Sequence, residues 1–243
     1  MRGQVRTLFR LLGVQSGWTY ERMGGIGVAF ALTPLLQHAV PPERRAAAQA
    51  RAAEFFNSHP WLAGLAVGAE ARAESDGVAP EQIQRLRTAL GGPLGALGDR
   101  VIWAGLIPIL SALALIGGGL YGWTVPLVAV LIALVVRLEV TRWALTRGLG
   151  AGMRVAQVLK ECALSRLSRP LSVAAAGAVG AATMFVGRGA AARVAPEVPA
   201  WLVLVGGGVA LAAVLKGGAR LPAYRLALLA GGLALILTEV VRP

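Results

Sequence analysis

The chain has 243 residues, 56% of them hydrophobic and only 15% charged, with a mean hydropathy of +0.64; against the roughly 25% charged residues of soluble domains, this is a membrane-class composition. Its 24 Lys and Arg against 12 Asp and Glu leave a formal charge of +12, and because the arginines punctuate apolar runs instead of forming a basic face with aromatic residues, the charge reads as positive-inside topology and not as nucleic-acid binding. A single cysteine, Cys162, excludes an intrachain disulfide and a cysteine-based zinc site.

The opening stretch MRGQVRTLFRLLGVQSGW disperses its basic residues and has no continuous apolar core before Gln15, so no cleavable signal peptide is visible. Arg2, Arg6 and Arg10 recur every four residues opposite Val5, Leu8, Phe9 and Leu12, which predicts a short amphipathic helix lying on a membrane or a partner. Pro41 and Pro42 mark a turn, and Pro42 suits the first turn of a helix running over Glu43 to about Phe56. Pro60 is expected to end or kink that helix, which places the polar stretch Asn57-Ser58-His59 at a helix boundary, followed by a short apolar piece from Trp61 to Ala69. A turn at Asp76-Gly77 leads to a helix from about Pro80 to Leu90. The stretch GGPLGALGDRVIW, residues 91–103, reads as a glycine-rich break with Asp99 capping the next helix.

Residues 101–136 contain no charge, too many for one crossing of roughly 20 residues and slightly few for two. Pro108, the glycines at 117–119, Gly122 and Pro126 interrupt the run and predict a helical hairpin or a re-entrant pair. Arg137, Arg142, Arg147, Arg154, Lys160, Arg166 and Arg169 then fill a gap opposed only by Glu139 and Glu161, the pattern of a cytoplasmic loop. Three shorter apolar runs follow at 171–187, 198–215 and 226–237. The expected fold class is an all-α polytopic integral membrane protein with about five apolar segments. Residues 1–100 form a helical region with the amphipathic arm and the motifs, and residues 101–243 form the transmembrane region. The first hundred residues and the 137–169 gap are expected inside, and the connections near Tyr121 and Arg193 outside.

Polar side chains concentrate in three places: Gln15 with Tyr20, Glu21 and Arg22; Asn57, Ser58 and His59 with Glu74; and Asp99 beside Gly98. All precede a long apolar run or sit at its mouth, where polar groups of membrane proteins tend to line pathways. His59 reads equally as a helix-end histidine bonded to a backbone carbonyl or as a ligand-contacting residue. His38 is the only other histidine and the carboxylates lack ligand spacing, so no metal is expected. GGPLGALGD lacks the Lys-Ser/Thr ending of a phosphate-binding loop, no nucleophile elbow is present, and neither a cofactor nor an autonomous enzyme is expected.

FFNSHPWLAG (residues 55–64), then Gly68 and Glu74, then GGPLGALGDRVIW, resemble the IID membrane subunit of mannose/fructose/sorbose-type phosphotransferase-system (PTS) permeases, whose hallmarks read FFNTHP, a glycine, a Glu-Glu pair and MGPLAGIGDSLFW. QSGWTYERMGGIG (residues 15–27) resembles the family's opening motif, and RWALTRGLGAG (142–152) matches its later segment more weakly. The resemblance implies a subunit of the bacterial inner membrane that is itself not phosphorylated. It would pair with a IIC membrane subunit to form a hexose pathway, while soluble IIA and IIB proteins carry phosphate to the sugar; the family also suggests a hetero-oligomer, a trimer of IIC/IID pairs. Carried over by position, the expected pathway residues are Gln15, Tyr20, Glu21, Arg22, Asn57, His59, Glu74 and Asp99, and the expected structural ones are Phe55, Phe56, Pro60, Gly68, Gly92, Pro93, Gly98 and Trp103.

The chain departs from that pattern at Thr19 for Asn, Gly24 for Gln, Ser75 for the second Glu, Arg100 for Ser and Ile107 for Arg. These departures open an alternative, a divergent IID-like membrane protein that regulates or anchors without moving sugar. They also raise the expectation that Arg100 closes the site or pairs with Asp99 or Glu74, in which case Arg100→Ser would raise uptake or alter sugar preference.

Overall fold

The computed structural model describes residues 2–194, so the apolar runs 198–215 and 226–237 lie outside the described residues. The chain divides into two compact units, Met1–Gly177 and Ala178–Pro243. The second is described only as helix up to residue 194, and every element that builds the site belongs to the first. Among the described residues the structure is helical, with isolated bridges at Thr19–Met23 and Met23–Phe56 instead of strands.

Helix α1 (Gln4–Leu12) is the short helix its sequence predicts, but the face it turns inward carries Thr7 and Leu11, while Val5 and Phe9 of the expected apolar face are exposed. It packs on α2 (Gly25–Ala39). Pro34 inside α2 has no N–H for the carbonyl of Phe30. Arg10 of α1 supplies the donor, with Nη1 on that oxygen at 2.8 Å and the guanidinium over the Phe30 ring at 4.2 Å. Helix α3 (Pro42–Ala52) begins at the expected proline but stops four residues before Phe56. Its continuation is pre-empted because the carbonyls of Ala52 and Glu54 are taken by a buried arginine and Phe56 pairs by its backbone with Arg22 and Gly24. Asn57-Ser58-His59 therefore lie in a loop, with Pro60 leading into the next helix instead of ending the previous one.

That next helix, α4 (Ala63–Ser75), has no clear polar face and forms the centre of the unit, with Leu65, Ala66, Val67, Ala69 and Ala71 fully buried. Gly64 and Gly68, one turn apart, let it cross α7 (Thr124–Ala151) at backbone contact. A Cβ at Gly68 would stand 2.6 Å from the Leu145 carbonyl oxygen, and one at Gly148 of α7 would stand 2.3 Å from that of Leu65.

Helix α5 (Pro80–Gly98) runs without interruption into a π-helical segment (Asp99–Leu106) and α6 (Ile107–Tyr121). The expected glycine-rich break is thus a continuous rod, and Asp99 has helical dihedrals instead of capping a new helix. The glycines serve a close approach: the 56–59 loop lies against α5 so tightly that a Cβ at Gly91 would be 3.0 Å from the Asn57 carbonyl oxygen. A turn at Gly122, with φ 82°, then reverses the chain into α7, giving the predicted helical hairpin.

The basic gap is not a loop over most of its first half, because α7 continues to Ala151. Its charges are accommodated on the helix: Arg137 donates to the Leu12 carbonyl at the end of α1, and Arg142 pairs with Glu139 at 2.7 Å. A 3₁₀ turn (Gly152–Arg154), α8 (Val155–Glu161) and α9 (Leu164–Val194) complete the described chain, and the apolar run 171–187 falls within α9. Cys162, between α8 and α9, is a buried free thiol, consistent with a small packing residue. The helical stretches Pro80–Tyr121 and Thr124–Gly189 are long and apolar enough to cross a membrane, and Leu113, Leu120, Leu127, Leu131 and Val135 are exposed along them, a surface suited to lipid or a membrane partner.

Candidate functional site

Three elements converge on a cavity of about 220 Å³: the loop between α1 and α2, the 56–60 loop, and the helical rod at the junction of α5 and the π-helical segment. Gln15 and Trp18 line it from the first, Asn57 and His59 from the second, and Gly95, Asp99 and Trp103 from the third. The last three recur every four residues and so share one face of the rod. Short π-helical segments within helices occur frequently at functional sites, and this one carries both Asp99 and Trp103.

His59 is buried, at 1% exposure. Its Nδ1 accepts the backbone N–H of Trp61 at 3.2 Å, not the carbonyl-bonded arrangement that is one of its two sequence readings. Nδ1 as acceptor puts the proton on Nε2, which is buried without a hydrogen-bond partner in the chain. The ring is held 5.3 Å from that of Trp103 and 6.2 Å from that of Trp61. Gly98 abuts it closely, since a Cβ there would lie 2.2 Å from His59 Cβ and Cγ.

Burial lowers the His59 pKa to about 4, the Asp99 carboxylate opposing this and Arg137 adding to it. The folded chain therefore holds a neutral imidazole across the physiological range. Because the unfolded state binds the proton first, His59 contributes stability that is full above about pH 6.5 and lost as the pH falls toward 4. In ¹H–¹⁵N spectra of imidazole-labelled protein, the His59 resonances are expected to stay those of the Nε2–H tautomer from pH 8 to about pH 5; a transition near pH 6.5 would contradict this environment.

The 56–60 loop is held by residues that sequence reasoning missed. Arg87 of α5 is buried; its Nη1 donates to both Glu70 carboxylate oxygens, at 2.8 and 3.1 Å, and its Nη2 to the carbonyls of Ala52 and Glu54, at 2.7 and 2.9 Å. Its guanidinium lies 4.8 Å from the centre of the Phe56 ring, which forms part of the cavity wall. Burial pushes the Glu70 carboxyl pKa up, and Arg87 opposes that. One signal was available: Glu70 and Glu74 stand one turn apart in a helix that is apolar from Ala63 to Ala69, and buried carboxylates require cations.

Glu74 itself lies away from the cavity, with Oε1 2.5 Å from Arg51 and Oε2 3.8 Å from Arg44. Tyr20, Glu21 and Arg22 are exposed on the α1–α2 loop and do not line the cavity; Tyr20 stacks edge-on against Trp18 at 5.0 Å. Phe55, Gly92 and Pro93 are exposed, whereas Phe56 and Pro60 are buried in the cavity wall. Arg100 is exposed, lies off the cavity and makes no ion pair among the described residues, so the expected bridge to Asp99 or Glu74 is absent. A larger, open groove of about 550 Å³ along the ends of α7 and α8, with Arg147, Arg154 and Glu161, contains none of the predicted site residues.

A family model for the IID component of the mannose/fructose/sorbose family of the PTS matches residues 2–186. The chain belongs to this family. It is similar to the mannose-specific EIID component of Escherichia coli K12, with 28% identity over 169 residues, covering 65% of this chain and 59% of that protein. It is likewise similar to the fructose permease IID component of Bacillus subtilis 168, with 28% identity over 178 residues and coverages of 70% and 62%. The sorbose-specific EIID component of Klebsiella pneumoniae is 29% identical over 168 residues, with coverages of 65% and 60%. The chain thus spans about three-fifths of the length of these relatives.

Among solved structures, one described as a membrane protein superposes with a TM-score of 0.65 at 24% identity, covering 75% of this chain and 69% of that one. The mannose transporter ManYZ, solved in complex with microcin E492, gives 0.57 at 24% identity, with coverages of 76% and 70%. Both likenesses are of fold alone.

Proposed function

We propose that this IID chain forms, with a IIC membrane subunit, the pathway by which a hexose crosses the bacterial inner membrane and meets phosphate delivered by soluble IIA and IIB carriers, the chain itself remaining unphosphorylated. The observation that carries the reading is the cavity joining Gln15, Asn57, His59 and Asp99 with two tryptophans. An amide both donates and accepts, a carboxylate accepts from paired hydroxyls, and the free Nε2–H of His59 donates; together they match a polyol. Trp18 and Trp103 offer apolar ring faces to the C–H faces of a sugar. In this reading the two helices of the 101–136 hairpin and the run at 171–187 cross the bilayer, and the remaining runs of the about five expected, 198–215 and 226–237, lie outside the described residues. The first hundred residues carry the site together with Trp103, residues 101–243 form the membrane region, and the assembly is a trimer of IIC/IID pairs.

Tyr20, Glu21 and Arg22, exposed beside the cavity, are assigned to IIC contacts. Glu74 acts at a distance, by holding α4 to α3 through Arg51. Of the five departures from the family pattern only Gly24 lines the cavity, which favours retained transport over a purely regulatory role.

Asn57→Ala and His59→Ala are each expected to lower kcat/KM for uptake by about ten- to a hundredfold, the effect of leaving a buried polar partner unpaired, with co-purification with IIC unchanged. Wild-type uptake by both variants would remove this cavity from the pathway.

A further inference from the structure

Gly95 occupies the interior of α5, where glycine is less stable than alanine. Its neighbours Gly91 and Gly98 need to be glycine because the 56–59 loop lies against them, a Cβ there meeting atoms at 3.0 and 2.2 Å. Gly95 has no such reason. The nearest atom to a Cβ there is Ser58 Cα at 4.0 Å, an ordinary contact, and its φ is not positive. What the missing side chain provides is room on the cavity wall, one turn before Asp99 and two before Trp103. Gly24, at the start of α2, lines the same cavity with φ −83°, and a Cβ there would meet the Phe56 carbonyl oxygen at an ordinary 3.4 Å. Serine serves at least as well as glycine at such a helix start. Two positions in one small cavity therefore carry glycine where neither backbone conformation nor packing requires it.

We propose that Gly95 and Gly24 are specificity-determining positions, and that the space they leave holds a ring substituent of the sugar larger than a hydroxyl, whose size they limit. The inference rests on the reading of this cavity as the sugar pathway. The substituent sits beside Asp99, whose carboxylate accepts from an adjacent hydroxyl or amide N–H, while the glycine backbone provides a surface without side-chain obstruction. Enlarging either wall then discriminates against the substituted sugar more than against the parent hexose.

The test uses proteoliposomes holding the chain with its IIC partner and the soluble carriers. The probes are a parent hexose and the same hexose carrying one acetamido or methoxy group at each ring position in turn. The wild type is expected to take up at least one substituted sugar. In Gly95→Val the ratio of kcat/KM, substituted to parent, falls about tenfold or more, with smaller falls in Gly95→Ala and Gly24→Ser. Gly95→Ala meanwhile melts roughly 2–4 °C higher, as expected for removing a helix-interior glycine, which separates lost selectivity from lost folding. An unchanged ratio in all three variants, or a wild type that takes up the parent hexose but none of the substituted ones, would overturn this inference alone. A wild-type complex that takes up no sugar would contradict the transport reading and this inference with it.

Discussion

Arg87→Ala is expected to destabilise the chain by about 3–5 kcal/mol, the cost of leaving a buried charge without its partner. The side chain is 1% exposed, and its removal strands the Glu70 carboxylate together with the carbonyls of Ala52 and Glu54. Those carbonyls fix the start of the loop that carries Asn57 and His59, so the damage reaches the cavity as well as the core. The effect has a pH signature. With Arg87 present, burial already raises the Glu70 pKa, and without it the shift grows. A carboxyl whose folded pKa is raised is protonated at no penalty below its ordinary value of 4.5 and loses stability as the pH rises through its folded pKa. The variant should therefore be closest to wild type in acid and weakest above neutrality, as read by thermal unfolding in detergent from pH 4 to 8. Adding Glu70→Gln should recover part of the loss at pH 7 and little at pH 4. A variant that unfolds with wild-type stability at neutral pH would show that this ion pair does not hold the loop.

Gly98→Ala carries the second large expected effect, and on function more than on folding. The added methyl would sit 2.2 Å from His59 Cβ and Cγ, so the imidazole or the rod must move. Overpacking of this kind costs about 1–3 kcal/mol, offset by about 1 kcal/mol from replacing a helical glycine, so the folded chain survives. The displaced ring loses the Trp61 N–H and its place on the cavity wall, and a misplacement of roughly 1 Å lowers activity by about a hundredfold. Gly92→Ala is the control. It lies on the same helix with nothing within 4 Å of the place its methyl would take, and it should gain about 1 kcal/mol of stability. Equal uptake by Gly98→Ala and wild type would show that the contact with His59 does not position it.

Much of this arrangement is readable in the residues. The hairpin turns at Gly122 because a charge-free run too long for one crossing contains glycine where φ must be positive. Helix α1 follows from the spacing of Arg2, Arg6 and Arg10, and α3 from Pro42. The motifs single out Gln15, Asn57, His59 and Asp99 at three separate places in the chain, and it is the fold that brings these four, without Tyr20, Glu21, Arg22 or Glu74, to one cavity. Other features depend on partners that sequence does not display. Glycines at 91–98 serve equally as a turn or as a surface for close approach, and the 56–59 loop decides for the second. Helix α7 passes through Arg137 and Arg142 because Leu12 offers a carbonyl and Glu139 a carboxylate. The pairing of Glu70 with Arg87 spans 17 residues and two helices, so no local pattern announces it.

The most direct test of the transport reading is phosphoenolpyruvate-dependent uptake of a hexose panel in proteoliposomes containing IIC and the soluble carriers, with and without this chain. Uptake of at least one hexose that requires the chain and falls about tenfold or more with His59→Ala is the predicted result. Full uptake in its absence, or none despite a stable complex with IIC, would contradict the assignment of the cavity as a sugar pathway.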